Sequence, residues 1–198
     1  MEAILLIIAL IFSIVIHELS HGLAADQLGD PTARYAGRLT LNPLSHLDPI
    51  GSFLVPLLTF FGGGFIFGWA KPVPYNPLNL KNPRRDSVLV ALAGPASNII
   101  LAIVLIIFYK FFALLLPLAS QTFFLSVIRL NLGLAIFNLI PIPPLDGSRI
   151  FLSLLPFQVQ AALEIYGIFL LLIFIMFFSG IVITIVNTLM KLLLQFGG

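Results

Sequence analysis

The chain has 198 residues and a net charge of +2, and its 10 Lys and Arg and 8 Asp and Glu make up 9% of it. A soluble domain carries roughly 25% charged residues. The few charges, beside 60% hydrophobic residues, therefore exclude a soluble globular protein. The high hydrophobicity also excludes a disordered chain, and the absence of cysteine excludes disulfides and thiolate chemistry. The small net charge gives no argument for nucleic acid, so the lipid bilayer remains as the main surroundings.

The first apolar stretch, residues 3–16, is too short to cross a membrane alone. Its fourteen residues rise about 21 Å, whereas the hydrocarbon core is roughly 30 Å thick. A spanning helix must therefore continue through residues 17–25, which hold two His and one Glu. This continuation places ionisable groups inside the membrane, about two-thirds of the way across from the N-terminus.

Two polar loops flank the next apolar stretch. Residues 26–48 are a connector rich in turn residues, and residues 70–86 are a Pro- and Asn-rich loop. The stretch between them, residues 49–69, is apolar but is broken by two prolines and by Gly62-Gly63-Gly64. A spanning helix would not carry these breaks, so we expect a re-entrant segment packed against protein.

Three further apolar stretches predict helices. Residues 87–109 and 121–140 are each long enough to span a membrane. The second of them leads into residues 138–147, whose proline density is incompatible with a helix. The last stretch, residues 158–195, is too long for one untilted span, and we expect a break or kink at Ser179-Gly180.

These stretches predict an all-α polytopic membrane protein with about four to six transmembrane or re-entrant segments. We interpret residues 1–198 as a single domain, with a core over residues 1–155 and a C-terminal helical region over residues 156–198. Basic residues gather in the loops at 26–48 and 70–86, and the positive-inside rule assigns such loops to the cytoplasm. The N-terminus then lies outside.

The strongest chemical motif is the run His17-Glu18-Leu19-Ser20-His21. Helical side chains four residues apart share a face, so both imidazoles can bind one metal ion. A catalytic zinc keeps three protein ligands and one open position for water, and Glu18 lies near enough to take a proton from that water. This short pattern also occurs by chance in soluble helices, but ionisable groups inside a spanning helix are costly and usually functional.

A third ligand has few candidates in this chain. His46 and Asp48 lie in one loop, and Asp146 lies in the segment Pro143-Pro144-Leu145-Asp146-Gly147. The prolines make that segment rigid and extended, and its glycine permits close approach of the backbone, so the carboxylate can lie at the depth of the two His. The alternative is that Asp146 is a turn or N-cap residue before a helix at 148–154.

Two of these motifs resemble those of a known family. HELSHG at the end of the first predicted spanning helix and NLIPIPPLDG at the end of a later one are similar to the motifs of the site-2 proteases, intramembrane zinc metalloproteases of peptidase family M50. The resemblance extends to residues 94–98 and 42–52 and so covers most of residues 8–150. It implies transmembrane helices around one zinc ion per chain, and cleavage of peptide bonds in or near the transmembrane segments of other membrane proteins.

The resemblance also implies the roles of individual residues. On the matching positions, His17, His21 and Asp146 are the zinc ligands and Glu18 is the catalytic base. The partners implied are transmembrane protein substrates and the lipid bilayer. We therefore expect an integral protein of a prokaryotic plasma membrane, with its active site nearer the cytoplasmic side.

Three further polar residues have two interpretations each. Asn138 either stabilises the oxyanion and positions the substrate, or satisfies backbone groups freed by the proline break. Asn98 is either an interhelical hydrogen-bonding residue, which we favour, or an accessory catalytic one. His46 is either a loop residue near the site, which we favour, or an accessory residue for binding or gating.

Two alternatives to a protease remain open from the sequence. A metal-ion transporter also places His and Glu in helices, but it should carry ligands at successive depths, whereas here they gather at one depth. A non-catalytic scaffold that binds membrane helices should have lost Glu18 or a ligand, yet all four positions are filled. Both alternatives therefore rank below the zinc protease.

Overall fold

The computed structural model describes residues 2–55, 57, 58, 61 and 70–195. This part of the chain contains helices and loops and no β-strand. The α-helices, in chain order, are α1 (Glu2–Gln27), α2 (Thr32–Tyr35), α3 (Pro83–Phe112), α4 (Leu118–Asn138), α5 (Asp146–Leu152) and α6 (Phe157–Gln195).

Four helices in the described part are long and apolar enough to cross a membrane: Glu2–Gln27, Pro83–Leu115, Leu118–Asn138 and Gln158–Gln195. Helix α1 continues without a break through residues 17–25, as its length requires. The prediction of an all-α polytopic membrane fold is therefore confirmed.

Of the break or kink expected at Ser179-Gly180, the break is wrong. Helix α6 is continuous over 39 residues and passes through Ser179 and Gly180. A glycine inside a helix costs only about 1 kcal/mol relative to alanine. An unsatisfied backbone group in lipid costs several kcal/mol, so the surrounding apolar sequence keeps the helical hydrogen bonds intact.

The helices pack around α3, which lies against both α1 and α4. Helix α6 packs on α4 and closes the bundle. The main apolar core joins α3, α4 and α6 through Ala102, Ile106, Ile128, Leu132, Val186 and Met190. Helix α3 also contacts α5, so α1 and α5 both pack against it.

The predicted re-entrant segment at 49–69 is described only in part. Residues 50–54 form one π-helical turn, and residues 55, 57, 58 and 61 are helical. The three glycines at 62–64 and the rest of the segment lie outside the described residues. Whether the segment returns to the same membrane face therefore stays a prediction.

The two polar loops pack against each other beside the end of α1. The guanidinium of Arg38 donates to the carbonyl oxygens of Lys71 and Pro72, at 2.8 and 3.3 Å. The backbone N–H of Lys71 donates to the carbonyl of His46, at 2.9 Å. These bonds hold the loop segment at residues 70–75 next to α1.

The fully buried Asp30 is the main polar link between these loops. Its carboxylate accepts hydrogen bonds from Thr32, from the backbone of Asn76 and from the Asn79 amide. Burial opposes ionisation of Asp30, but the hydrogen bonds from Thr32, Asn79 and Asn76 outweigh it, so its pKa is lowered from the ordinary value near 3.8. Asp30 is therefore ionised in the folded protein at neutral pH.

We expect the stability that Asp30 contributes to depend on pH. Because the folded pKa is lowered, this contribution is complete above about pH 3.8 and is lost as the pH falls through the folded pKa. At neutral pH, Asp30→Asn should destabilise the protein by about 1–3 kcal/mol, because buried donors lose their acceptor. Thermal unfolding in detergent at pH 7 and pH 3 measures both effects.

The matched control is Asp26→Asn. Asp26 is only 11% exposed, but its partner Arg34 is 64% exposed, so solvent screens the pair and it contributes about 0–1 kcal/mol. A difference between wild type and Asp30→Asn that stayed constant from pH 7 to pH 3 would contradict the role given to the Asp30 carboxylate.

Candidate metal centre and active site

Helix α1 brings His17 and His21 onto one face, as the spacing predicts. Their Nε2 atoms lie 3.1 Å apart. Asp146 Oδ2 lies 3.0 Å from His17 Nε2 and 3.3 Å from His21 Nε2. Among the described residues, these three side chains are the one group of three or more His and carboxylates whose ligand atoms all lie within 4.8 Å of one another.

The proline-rich turn after α4 carries Asp146 to the two imidazoles. Helix α4 ends at Asn138 and α5 begins at Asp146. The turn is tight because Gly147 has no side chain: a Cβ there would lie 2.2 Å from the carbonyl oxygen of Leu139. The N-cap of α5 is Leu145, so Asp146 is not the N-cap residue of the alternative interpretation.

The three ligand atoms have the spacing that a zinc ion requires. Nitrogen and oxygen ligands at about 2.0–2.1 Å from a tetrahedral zinc lie about 3.3 Å from one another. The three separations in the structure are 3.0, 3.1 and 3.3 Å. The donor set of two imidazoles and one carboxylate also belongs to catalytic zinc sites. These residues therefore fit the ion.

The other ring nitrogens face fixed hydrogen-bond acceptors. His17 Nδ1 lies 2.6 Å from Asn98 Oδ1, and His21 Nδ1 lies 2.7 Å from the carbonyl oxygen of Val90. An acceptor at Nδ1 keeps the proton on that nitrogen and leaves the Nε2 lone pair for a metal ion. Both imidazoles are thus oriented by helix α3.

Gly94 on α3 leaves the room that the two imidazoles occupy. A Cβ at this position would lie 2.4 Å from His21 Nε2 and 2.6 Å from His17 Nε2. Real Cβ atoms essentially never approach another heavy atom so closely. A side chain at Gly94 must therefore displace both nitrogens.

We expect Gly94→Ala to weaken zinc binding at least tenfold, since loss of one partner behind a ligand already costs 10–100-fold. Bound zinc in the purified protein, titrated with a competing chelator, measures the change. The matched control is Gly133→Ala in α4, where a Cβ would meet nothing within 4 Å. Equal zinc affinity in the Gly94 and Gly133 variants would contradict the close packing.

Glu18 lies at the wall of a cavity of about 630 Å³ that also contains the ligand group. The cavity is bounded by α1, the loop segment at 70–75, α3, the end of α4, the beginning of α5 and α6. Glu18 Oε2 accepts a hydrogen bond of 3.0 Å from the backbone N–H of Val73. The carboxylate is therefore held beside the ligands by one of its two oxygens.

Of the other predicted residues, the structure places Asn138 at the cavity and His46 and Asp48 in a loop away from it. Asn138 lines the same cavity, and its amide donates to the carbonyl of Leu134 at 2.9 Å. His46 is buried in its loop with Nε2 2.9 Å from the carbonyl of Thr40, and it does not line that cavity. Asp48 accepts from the backbone N–H groups of Ile50 and Gly51 in the same loop.

Asn98 lies behind the site and joins three helices. Its amide nitrogen donates to the Ser13 carbonyl of α1 at 3.3 Å and to Asn131 Oδ1 of α4 at 2.9 Å. These contacts agree with the interpretation of Asn98 as an interhelical hydrogen-bonding residue. Asn131 itself was not predicted from the sequence, although an Asn in the middle of the apolar stretch 121–140 is a signal for a buried polar partner.

Two imidazoles, a carboxylate and a glutamate in one cavity are the groups with which zinc hydrolases work. Here α1, a helix long enough to span a membrane, carries three of the four groups. The class that the fold and site define is therefore a membrane metallohydrolase, and comparison with known proteins gives the family.

The chain belongs to peptidase family M50, whose sequence model matches residues 5–122 and 113–178. A Bacillus subtilis (strain 168) protein named "Putative zinc metalloprotease YwhC" is 43% identical over 178 residues, 85% of this chain and 78% of the relative. "Putative zinc metalloprotease Rip2" of Mycolicibacterium smegmatis is 35% identical over 149 residues, 73% of this chain and 54% of the relative. No solved structure matches the chain.

These matches confirm the family that the HELSHG and NLIPIPPLDG motifs indicate. The protein is an integral membrane metalloprotease with Zn²⁺ as its cofactor. The group His17, His21 and Asp146 has the geometry to hold that ion.

Proposed function

We propose that this protein is an intramembrane endopeptidase, which hydrolyses peptide bonds in or near the transmembrane segments of other membrane proteins. The observation that carries the proposal is the position of the ligand group within α1, a helix long enough to span a membrane. His17 lies ten residues before the end of α1, which corresponds to about 15 Å along the helix. A substrate must therefore reach the site within the thickness of the bilayer.

In this proposal His17, His21 and Asp146 hold the zinc ion, and each contributes one ligand atom. Bound zinc supplies a Lewis acid, which polarises a carbonyl group and lowers the pKa of water. Glu18 is the general base: it takes the proton of the attacking water and passes it to the leaving amine. The Val73 N–H orients Glu18 for this proton transfer.

Asn138 is suited to position the substrate in the same cavity. One hydrogen of its amide is donated to the Leu134 carbonyl of its own helix, which fixes the orientation of the side chain. The amide carries a second hydrogen, which is the donor for a substrate carbonyl or for the developing oxyanion. His46, which packs in its loop, has no part in this chemistry.

The orientation of the chain in the membrane follows from its basic loops. The segments at 26–48 and 70–86 border the end of α1 that is nearer the ligand group. The positive-inside rule therefore places the active site nearer the cytoplasmic face of a prokaryotic plasma membrane. The partners are membrane-protein substrates presented within the bilayer.

A transporter is not supported by the distribution of ligands. Within the described residues, the candidate metal ligands form one group at one depth. A transport path requires ligating groups at successive depths across several helices. The cavity on one side of this group is instead suited to a bound segment of polypeptide.

The test is cleavage by the purified protein in liposomes. One substrate carries a single transmembrane helix, and the other is a soluble peptide with the sequence that flanks the same helix. We expect zinc-dependent cleavage of the membrane substrate, loss of cleavage with a chelator and recovery with added Zn²⁺. Cleavage of the soluble peptide alone would contradict the intramembrane proposal and leave a conventional metalloprotease.

A further inference from the structure

A chain of buried polar side chains leads from the metal centre into the helix bundle. It begins at His17 of α1, passes through Asn98 of α3 and ends at Asn131 of α4. Both asparagines are fully buried, with 0% of their surface exposed. Polar groups buried in this way are costly unless every one of them is paired, and here each amide has partners of fixed identity.

The hydrogen bonds of this chain have a defined direction. Asn131 Nδ2 donates to the Val127 carbonyl of its own helix at 3.0 Å, so its amide oxygen must face Asn98. Asn98 Nδ2 then donates to Asn131 Oδ1, and the Asn98 oxygen must face His17. A carbonyl oxygen only accepts, so His17 Nδ1 carries the proton and its Nε2 stays free for a metal ion.

The two metal-facing imidazoles differ in what holds them. His21 Nδ1 faces the backbone carbonyl of Val90, which belongs to a helix and cannot turn round. His17 Nδ1 faces a side-chain amide, which can rotate by half a turn about its last bond. Without a lock, Asn98 could present its NH₂ group to His17 and drive the imidazole proton to Nε2, where it competes with the metal ion.

We propose that Asn131 is that lock: a positioning residue that fixes the amide of Asn98 and through it the tautomer of His17. The Asn98 amide has two acceptors, and the Ser13 carbonyl at 3.3 Å is more distant than Asn131 Oδ1 at 2.9 Å. Asn131 therefore supplies the stronger restraint. The inference rests on the proposed function only in taking His17 as a metal ligand, and its test measures zinc affinity rather than proteolysis.

The test compares the zinc dissociation constants of three variants with that of the wild type, measured in detergent against a competing chelator. Asn131→Leu keeps the branching of the side chain at Cγ and removes the acceptor, and we expect it to weaken zinc binding about tenfold. Asn131→Asp keeps an oxygen facing Asn98. Its zinc affinity should stay within about threefold of the wild type, which is less than the 10–100-fold loss that a missing partner causes. Ile128→Ala, at a fully buried position one turn away on α4, removes packing alone and should leave the constant unchanged.

Three results would overturn the proposal. The first is an Asn131→Leu variant with wild-type zinc affinity. The second is equal weakening by Asn131→Leu and Ile128→Ala, because loss of packing would then explain both. The third is an Asn131→Asp variant as weak as the Leu variant. If Asn131→Leu does not fold, Asn131→Asp is compared with Ile128→Ala instead, and zinc binding tenfold weaker in the Asp variant than in Ile128→Ala would overturn the proposal.

A His17→Ala variant separates this inference from the proposed function. If His17→Ala keeps wild-type zinc affinity, His17 is not a ligand, and both the metal site and the lock are wrong. If His17→Ala loses zinc while Asn131→Leu keeps it, the metal site stands and only the lock is wrong. Proteolytic activity enters neither comparison.

Discussion

Glu18→Gln is expected to abolish proteolysis while the protein keeps its zinc. The amide has nearly the shape of the carboxylate but cannot accept a proton from water, and general-base catalysis contributes about 10²–10⁴-fold to a rate. Glu18 is not one of the three ligand side chains, so metal binding should be unaffected. The measurement is the rate of cleavage of a transmembrane substrate beside the zinc content of the same sample.

The matched control for this experiment is Glu2→Gln. Glu2 lies on the same helix, is exposed and stands fifteen residues before the ligand His17. We expect the rate of the control to equal that of the wild type. A Glu18→Gln variant that cleaved at more than a tenth of the wild-type rate would remove Glu18 from the role of base, since that loss is below the 10²–10⁴-fold range.

Sequence reasoning worked where the chemistry is local. His17 and His21 meet because four residues are close to one turn of a helix, a rule that holds for any helix. The thickness of the bilayer predicted that α1 continues through these residues, and in the structure α1 does so. Composition likewise sufficed to predict an all-α membrane fold.

Contacts between distant parts of the chain were harder to predict. Asp146 is separated from His17 by 129 residues, and the proline-rich segment made it a candidate without excluding His46 or Asp48 until the resemblance to a family singled it out. The partners of Glu18 and His21 are the backbone groups of Val73 and Val90, which no side-chain pattern can reveal.

The two errors of sequence reasoning have the same physical origin. At Ser179-Gly180 we weighed a local helix-breaking tendency, but lipid penalises any broken backbone hydrogen bond more strongly. Within residues 121–140 we weighed Asn138 but not Asn131, although the same penalty makes each polar side chain inside an apolar stretch informative. In this chain the cost of unpaired polar groups explains both the unbroken α6 and the paired asparagines.

Asp146→Ala is expected to lower zinc affinity by more than a hundredfold, so that the purified protein holds little zinc and does not cleave. Removal of a partner that only orients a ligand costs 10–100-fold, and the loss of one of three ligands must exceed that. The structure gives a specific reason: Asp146 Oδ2 lies within 3.3 Å of both His17 Nε2 and His21 Nε2.

The controls for this prediction are His46→Ala and Asp48→Ala, which remove the other two candidates for the third ligand. His46 is bonded within its loop to Thr40, and Asp48 to the backbone N–H groups of Ile50 and Gly51. Both variants should therefore retain zinc, whatever their effect on the loop. Full zinc occupancy in Asp146→Ala, with loss in either control, would move the third ligand into that loop and would show that the proline-rich turn after α4 serves another purpose.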